Sequence, residues 1–322
     1  MLLKLLETRR VIFVGGKGGV GKTSVASALG ASFAEAGDRV LVVSTDPAHN
    51  LGHLWSTEIG DRPRRLLAAD TGHLDGLEID PEATVSRHFA AVGATMAELV
   101  PEHMQEAARR HLELARHAPG SHESAILDRI AEVVADGFSD YDRIVFDTAP
   151  SGHTVRLMAL PGRLSTWTGE LLANRDRSEK FASALHGLGG AKAQREDADS
   201  RLRATLLRRQ ERFETLRSTL LDADRTAFII VFTAEAMPVA ETIELHGHLN
   251  DLGIDVAGLV ANRRSPDDAG ELLAGRRRAE AKLLDRVREQ LPEVPVTELP
   301  LLPSATAQRG ELDGLIEHLR RE

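Results

Sequence analysis

The chain has 322 residues, 42% hydrophobic and 28% charged, which suits a soluble globular protein with a full hydrophobic core. Its formal charge of −9 argues against unaided nucleic-acid binding, and its lack of cysteine excludes disulfides, thiolate zinc sites and iron–sulfur clusters. It has no signal-peptide pattern and no run approaching about 18 apolar residues, so we expect a cytoplasmic protein that reaches a membrane only through a partner.

The first 45 residues are predicted to alternate strand, helix and strand. Residues 11–14 form a short apolar run typical of a buried strand, and residues 40–43 form a second. Residues 24–36 between them have helical spacing and end at Gly37, a suitable helix C-cap. This pattern predicts a parallel sheet with a right-handed crossover.

Later apolar runs predict four more strands, at residues 143–147, 228–232, 256–260 and 294–299, with a helix at 242–252. Two stretches, residues 81–118 and 164–221, have helical periodicity instead, and the small polar residues 191–199 suggest a hinge in the second. We predict an α/β fold in which a mostly parallel sheet is flanked by helices. Residues 1–322 would form one domain with an inserted helical subdomain. Its apolar stripes fit core packing or a client groove.

The glycine-rich loop after the first strand matches the phosphate-loop motif G-x-x-x-x-G-K-[ST] at residues 16–23. The glycines allow backbone N–H groups to approach phosphate closely, Lys22 reaches the β- and γ-phosphates, and the Thr23 hydroxyl is suited to Mg²⁺. The motif therefore predicts Mg²⁺-dependent ATP binding and hydrolysis. The predicted nucleotide-binding residues of this loop are Gly16, Lys17, Gly18, Gly19, Val20, Gly21, Lys22, Thr23 and Ser24.

Lys17 is a second lysine near the start of the same loop. A lysine at this position marks the deviant Walker class, in which it characteristically crosses a dimer interface to the partner's nucleotide. There it would place positive charge where negative charge develops during phosphoryl transfer. The loop thus predicts that the chain works as half of a dimer.

Two polar segments follow predicted strands, at the strand ends where ligands bind open parallel sheets. They are Ser-Thr-Asp-Pro-Ala-His-Asn at residues 44–50 and Asp-Thr-Ala-Pro-Ser-Gly-His-Thr at residues 147–154. With the phosphate loop, they resemble switches I and II of a family comprising the arsenite-pump ATPase ArsA and the guided-entry ATPase that carries tail-anchored membrane proteins. The resemblance covers nearly the whole chain, including residues 234–242 and 299–302.

This resemblance implies a role for each matching residue. Asp46 would orient and deprotonate the attacking water, and Asp147 would hold Mg²⁺ through water. Asn262 would read the adenine ring, the Pro300 region would cover it, and Glu235 would reach nucleotide across the dimer. The implied catalytic residues are Asp46, Lys17 and Lys22, and the implied metal-site residues are Thr23, Asp46 and Asp147.

The chain also departs from this family pattern. Without cysteine it lacks both the thiol metalloid site of the pump and the zinc clamp of eukaryotic guided-entry dimers, and residues 265–278 contain no ligand pair, so we expect no structural zinc. It has one phosphate loop, which predicts a homodimer or a heterodimer with a related ATPase. The arginine-rich residues 276–288 suggest a solvated helix face. The C-terminal residues 311–322 suggest a short helix without membrane-targeting character.

Three functions remain open from the sequence. The leading one is an ATPase that couples nucleotide-driven dimer closure to handling of a hydrophobic membrane-protein segment. The second is the ATPase subunit of an anion or metalloid exporter that acts through a membrane partner. The third, a positioning ATPase of the ParA/MinD type, is opposed by the second switch, the helical stretches and the acidic charge. The client and the physiological process are left open.

Overall fold

The computed structural model describes residues 2–46, 50–99, 105–116, 121–148, 192–302 and 308–321. Within these residues the strands are β1 (Val11–Gly16), β2 (Arg39–Ser44), β3 (Arg64–Ala68), β4 (His73–Glu78), β5 (Arg143–Asp147), β6 (Thr226–Thr233), β7 (Val256–Arg264) and β8 (Val296–Pro300). The helices are α1 (Leu2–Leu5), α2 (Lys22–Glu35), α3 (Asn50–Trp55), α4 (Pro81–Leu99), α5 (Gln105–Arg116), α6 (Ser121–Gly137), α7 (Lys192–Leu221), α8 (Ala236–Asp251), α9 (Glu271–Gln290) and α10 (Gln308–Arg321).

The described strands form one eight-stranded sheet in the order β3-β4-β2-β5-β1-β6-β7-β8. All neighbours are parallel except β3 and β4, which pair antiparallel at one edge. The central strand β1 is buried along its whole length, as expected for a strand that is covered on both faces. The predicted α/β class, with a mostly parallel sheet and flanking helices, is confirmed.

The C-terminal helix α10 belongs to the hydrophobic core, which its short and roughly neutral sequence did not suggest. Its buried side chains are Leu312, Leu315, Ile316 and Leu319, and the helix packs against α2. These positions are spaced by three, one and three residues, so they line one face of a helix. The apolar face of α10 is thereby removed from water, while the charged side chains of Asp313, Glu317 and Arg320 are exposed.

Strands β3 and β4 and helix α6 were not predicted. β4 contains Asp75 and Glu78, both buried, and so does not appear as an apolar run. The Asp75 carboxylate accepts hydrogen bonds from Arg65 Nε at 2.5 Å and Tyr141 Oη at 2.8 Å. Partners that are distant in sequence therefore satisfy a buried charge, which an apolar-run criterion cannot detect.

The chain divides into two compact units. One comprises Met1–Asp80, Asp136–Arg156 and Thr219–Glu322, and the other comprises Pro81–Ala135 and Leu157–Ser218. The predicted helical stretch 81–118 contains the two helices α4 and α5. Residues 192–199 of the suggested hinge lie inside α7, while residues 164–191 lie outside the described residues. No helix within the described ranges has the length and apolar character needed to cross a bilayer.

Candidate nucleotide site

The predicted site residues lie at the carboxyl edge of the sheet, where parallel strands end together. In register, Val14 of β1 lies opposite Asp147 of β5, and Ser44 of β2 lies on the other side of Asp147. Across the sheet, Gly16 pairs with Val231 of β6, and Thr233 at the end of β6 pairs with Asn262 of β7. The topology therefore gathers motifs that are more than a hundred residues apart in sequence.

Two loop glycines are required by close approach as well as by backbone conformation. Gly16 has φ +139°, and a Cβ there would lie 2.1 Å from the carbonyl oxygen of Val231. Gly21 has φ +94°, and a Cβ there would lie 2.4 Å from Nδ2 of Asn262. Both distances are shorter than real Cβ contacts, so a side chain at position 16 would displace backbone and one at position 21 would displace the Asn262 amide.

A cavity of about 340 Å³ opens beside the loop and helix α2. It brings the phosphate loop together with Asp46 and with residues of α3. Its lining residues are Gly18, Gly19, Gly21, Lys22, Thr23, Ser24, Asp46, Asn50, His53, Leu54 and Arg263. This concave surface, with loop glycines and a helix N-terminus, has the features of a phosphate-binding site.

Lys22 is the buried cation of this cavity. Its Nζ donates a hydrogen bond to the carbonyl oxygen of Lys17 at 3.0 Å. Burial lowers the pKa of the Lys22 ammonium, and the nearby carboxylates of Asp147 and Asp46 act in the opposite direction. The side chain is thus held inside the loop, where a bound phosphate group would stabilise the ammonium charge that burial disfavours.

Asp147 is fully buried beside Thr23, whose hydroxyl donates to Asp147 Oδ2 at 2.7 Å. The other carboxylate oxygen, Oδ1, has no hydrogen-bond partner among the described residues, and burial raises the pKa of Asp147 to about 7. A buried carboxylate with one oxygen free of hydrogen bonds, next to a hydroxyl, fits Mg²⁺, which is held by oxygen ligands. No cluster of three His, Cys, Asp or Glu side chains occurs in the described residues, so Mg²⁺ would need nucleotide oxygens or water as further ligands.

Replacing this carboxylate should stabilise the metal-free protein at alkaline pH. Because the pKa of Asp147 is about 7 when folded and 3.8 as the unperturbed value, the folded chain holds a proton that the unfolded chain releases between these values. Stability therefore falls as pH rises through that window. We expect Asp147→Asn to raise the Tm by about 2–4 °C near pH 8, for a gain of about 1 kcal/mol, and to raise it progressively less as the pH falls toward 4.

Thermal melts in chelator, without nucleotide, would measure this effect. The exposed Asp70 provides a matched control, since Asp70→Asn removes the same charge from a surface turn. A lower Tm for Asp147→Asn near pH 8 would contradict the prediction.

Asp46 lies half-buried at the rim of the cavity, directly after β2. Its backbone N–H donates to Ser44 Oγ at 3.3 Å, and its Oδ2 accepts from Asn50 Nδ2 at 3.3 Å. Residues 47–49 of the first switch and residues 149–154 of the second lie outside the described residues. Among the second-switch residues that are described, Thr148 donates from Oγ1 to the carbonyl oxygen of Val14 at 3.0 Å, which fixes the chain beside the loop.

The structure places Lys17 differently from Lys22. Its Nζ lies 2.7 Å from Glu241 Oε1 and 2.7 Å from the Met237 sulfur, both on α8. Lys17 does not line the cavity. Its ammonium is therefore held by α8 rather than by the site of its own loop.

Glu235, Asn262 and Pro300 lie at the same edge of the sheet but do not line the cavity. The exposed Glu235 precedes α8 and pairs with Arg276 at 3.0 Å. The buried Asn262 donates from Nδ2 to the carbonyl oxygen of Val20 at 2.8 Å, so it contacts the phosphate loop itself. Pro300 ends β8. The roles that the resemblance implies for these residues stay predictions.

Helix α9 is more than the solvated face expected from its arginines. Its Glu280 is buried and forms an ion pair with the buried Arg264 of β7. Arg276 also contacts Glu280, at 3.1 Å. Glu280 accepts in addition from the backbone N–H and the hydroxyl of Ser265, at 3.1 and 2.7 Å. This network fixes the chain immediately after the nucleotide edge of β7.

Sequence reasoning missed four of the cavity residues: Asn50, His53, Leu54 and Arg263. Asn50 lies within the first switch and Arg263 directly follows Asn262, whereas no motif indicates His53 or Leu54. Arg263 lies at the cavity because β7 is parallel to β6 and ends at the same carboxyl edge of the sheet. Its position directly after Asn262 is the sequence signal that could have identified it.

The fold and this site define a P-loop nucleotide-binding α/β protein with a deviant Walker loop. Residues 9–319 match the ArsA family, described as anion-transporting ATPases. The chain belongs to this family and is an ATPase.

Three similar proteins have different activities in their names, yet each is about equally identical to this chain. The chain is 30% identical to "ATPase ASNA1 homolog 1" of Paramecium tetraurelia, over 96% of this chain and 91% of that protein. It is 31% identical to "ATPase GET3" of Pyricularia oryzae, over 97% and 91%. It is also 31% identical to "Arsenical pump-driving ATPase" of Acidiphilium multivorum, over 98% of this chain but 50% of that protein.

Proposed function

We propose that this ATPase couples Mg·ATP-driven closure of a two-site dimer to the handling of an apolar segment of a membrane protein. The placement of Lys17 is the observation that supports a dimer. A lysine of the phosphate loop whose ammonium is bound by α8, outside its own cavity, is available to the nucleotide of a partner copy. Closure would require Lys17 to exchange Glu241 for the partner's phosphates.

Within each site the roles divide among three groups. Asp46, on the first switch, orients and deprotonates the attacking water. Lys22 and the loop N–H groups would bind the phosphates, and Thr23 and Asp147 would hold Mg²⁺. When bound, Mg²⁺ neutralises phosphate charge. Contacts from the γ-phosphate would order the two switches, and hydrolysis would release them, which provides the step that moves a client.

The apolar client is supported by two features of this chain. First, it covers about nine tenths of the length of its GET3 and ASNA1 relatives, whereas it covers half of the arsenical pump-driving ATPase. Second, leucines are exposed in the unit that comprises Pro81–Ala135 and Leu157–Ser218, here called the helical unit, including Leu114 at 72% and Leu207 at 44%. The other unit, which contains the sheet and the phosphate loop, is called the ATPase unit. The exposed leucines supply apolar surface of the kind that a hydrophobic segment would cover.

Capture of a transmembrane peptide tests this proposal. The protein is incubated with a labelled apolar helix, with and without Mg·ATP, and the retained peptide is measured. We expect nucleotide-dependent capture that is reduced by Leu114→Asp but not by Leu272→Asp, because Leu272 is 86% exposed in the ATPase unit. Equal capture with and without nucleotide would reject the coupling, and equal capture by both variants would reject the assigned surface.

An exporter subunit is the second candidate, and the family's anion-transporting description favours it. Since the sequence has no cysteine, a metalloid could not be bound through thiols, and the transported anion would have to act through a membrane partner. Stimulation of ATP hydrolysis by arsenite, antimonite or other oxyanions would support this function. A hydrolysis rate that is unchanged across these anions would leave the client-handling function favoured.

A further inference from the structure

The end of β7 holds two consecutive carbonyl groups of the phosphate loop. Asn262 Nδ2 donates to the carbonyl oxygen of Val20 at 2.8 Å, and Arg263 NH1 donates to that of Gly19 at 3.1 Å. Because the C=O and N–H of a trans peptide point in opposite directions, these contacts turn the N–H groups of Val20 and Gly21 away from the side chains that hold the carbonyls. Successive N–H groups presented in this way form an anion-binding concavity.

Arg263 adopts a backbone conformation that is unfavourable for its residue type. Its φ is +57°, and only one other non-glycine residue, Ser56, has a positive φ in the described part of the chain. The Arg263 N–H donates to Asn262 Oδ1 at 2.9 Å, and the following Arg264 is fixed by its buried ion pair with Glu280. Neighbouring contacts therefore maintain a strained residue, a situation that is concentrated at functional sites.

The guanidinium also adds charge to the site. Arg263 lines the same cavity as Lys22 and Thr23, and its side chain approaches from the strand side. A planar guanidinium is well suited to phosphate oxygens as well as to a carbonyl. The residue thus combines a structural contact to the loop with a position where it can reach the nucleotide.

We propose that Arg263 is a positioning residue that, together with Asn262, holds the phosphate loop in its binding conformation before nucleotide arrives. This inference rests on the proposed nucleotide site and adds to it a residue outside the motif. Loss of the arginine side chain should weaken nucleotide binding, and should affect the chemical step much less.

Arg263→Gly tests the contribution of the arginine side chain without adding backbone strain, because glycine adopts positive φ without strain. We expect the KM for ATP to rise about tenfold, as for the loss of one contact to a charged group, with kcat within about twofold. The Tm should be unchanged or higher, and amides of residues 18–21 should exchange faster in the nucleotide-free protein. Arg62→Gly, at an exposed loop arginine, is the control for lost charge and should match the wild type.

Arg263→Ala supplies a second variant that retains the strained φ. It should show the same rise in KM as Arg263→Gly. Its Tm should be lower than that of Arg263→Gly, because alanine is strained at positive φ and glycine is not. If Arg263→Gly has the KM and the amide exchange of the wild type, the inference is overturned. A fall in its Tm with an unchanged KM would also overturn the inference, because it would show a purely structural role. Failure of the proposed nucleotide site is distinguishable, since it would appear as ATP binding that survives Lys22→Ala in an otherwise wild-type chain.

Discussion

Asp46→Asn should bind Mg·ATP with nearly wild-type affinity and hydrolyse it about 10²- to 10⁴-fold more slowly, the range for loss of general-base catalysis. The amide cannot accept the proton of the attacking water, but it has the same shape as the carboxylate. Its oxygen can still accept the hydrogen bond from Asn50 Nδ2, now at 3.3 Å to Asp46 Oδ2. The variant should therefore accumulate as an ATP-bound protein, and it offers the best state for trapping partners.

Equilibrium binding and single-turnover hydrolysis separate the two effects. Asp70→Asn is the matched control, because it removes the same charge from an exposed turn on the ATPase unit. A hydrolysis rate within about twofold of the wild type would remove Asp46 from the role of general base, for which a larger effect is expected. Loss of binding with an unchanged kcat would instead make it a binding residue.

Lys17→Ala should lower hydrolysis by about 10³-fold or more, the effect of removing a finger residue that stabilises transition-state charge in trans. Its effect on folding should be small, since the lost ion pair with Glu241 is partly exposed and such pairs contribute about 0–1 kcal/mol. Steady-state ATPase assays and thermal melts measure the two quantities. Full activity of the variant would contradict the deviant-Walker role.

Mixing two inactive variants tests whether Lys17 acts on a partner copy. In a dimer of Lys17→Ala with Asp46→Asn, the first protomer has an intact Asp46, and the second can supply Lys17 to that same site. We expect part of the wild-type activity to return in the mixture, and no recovery would contradict action in trans within a homodimer. Glu241→Gln removes the cis ion-pair partner of Lys17 and should leave hydrolysis unchanged or faster.

The strongest predictions from sequence concern local motifs. The phosphate loop, Asp46 and Asp147 each follow a short apolar run, and such runs predict buried parallel strands whose ends meet. The structure places all three at one edge of the sheet, as this reasoning requires. In contrast, β4 was missed because Asp75 is buried with partners contributed by Arg65 and Tyr141.

The deviant Walker loop, the two switch aspartates and the α/β class were determined by the sequence alone, because their chemistry depends on residues that are consecutive or nearly so. Tertiary structure alone decided that Lys17 is held by Glu241, that Asp147 is buried with its Oδ1 lacking a hydrogen-bond partner, and that Arg263 reaches Gly19. These contacts join segments more than a hundred residues apart, or depend on burial. The order in which parallel strands lie side by side creates them, and no local pattern in the sequence encodes that order.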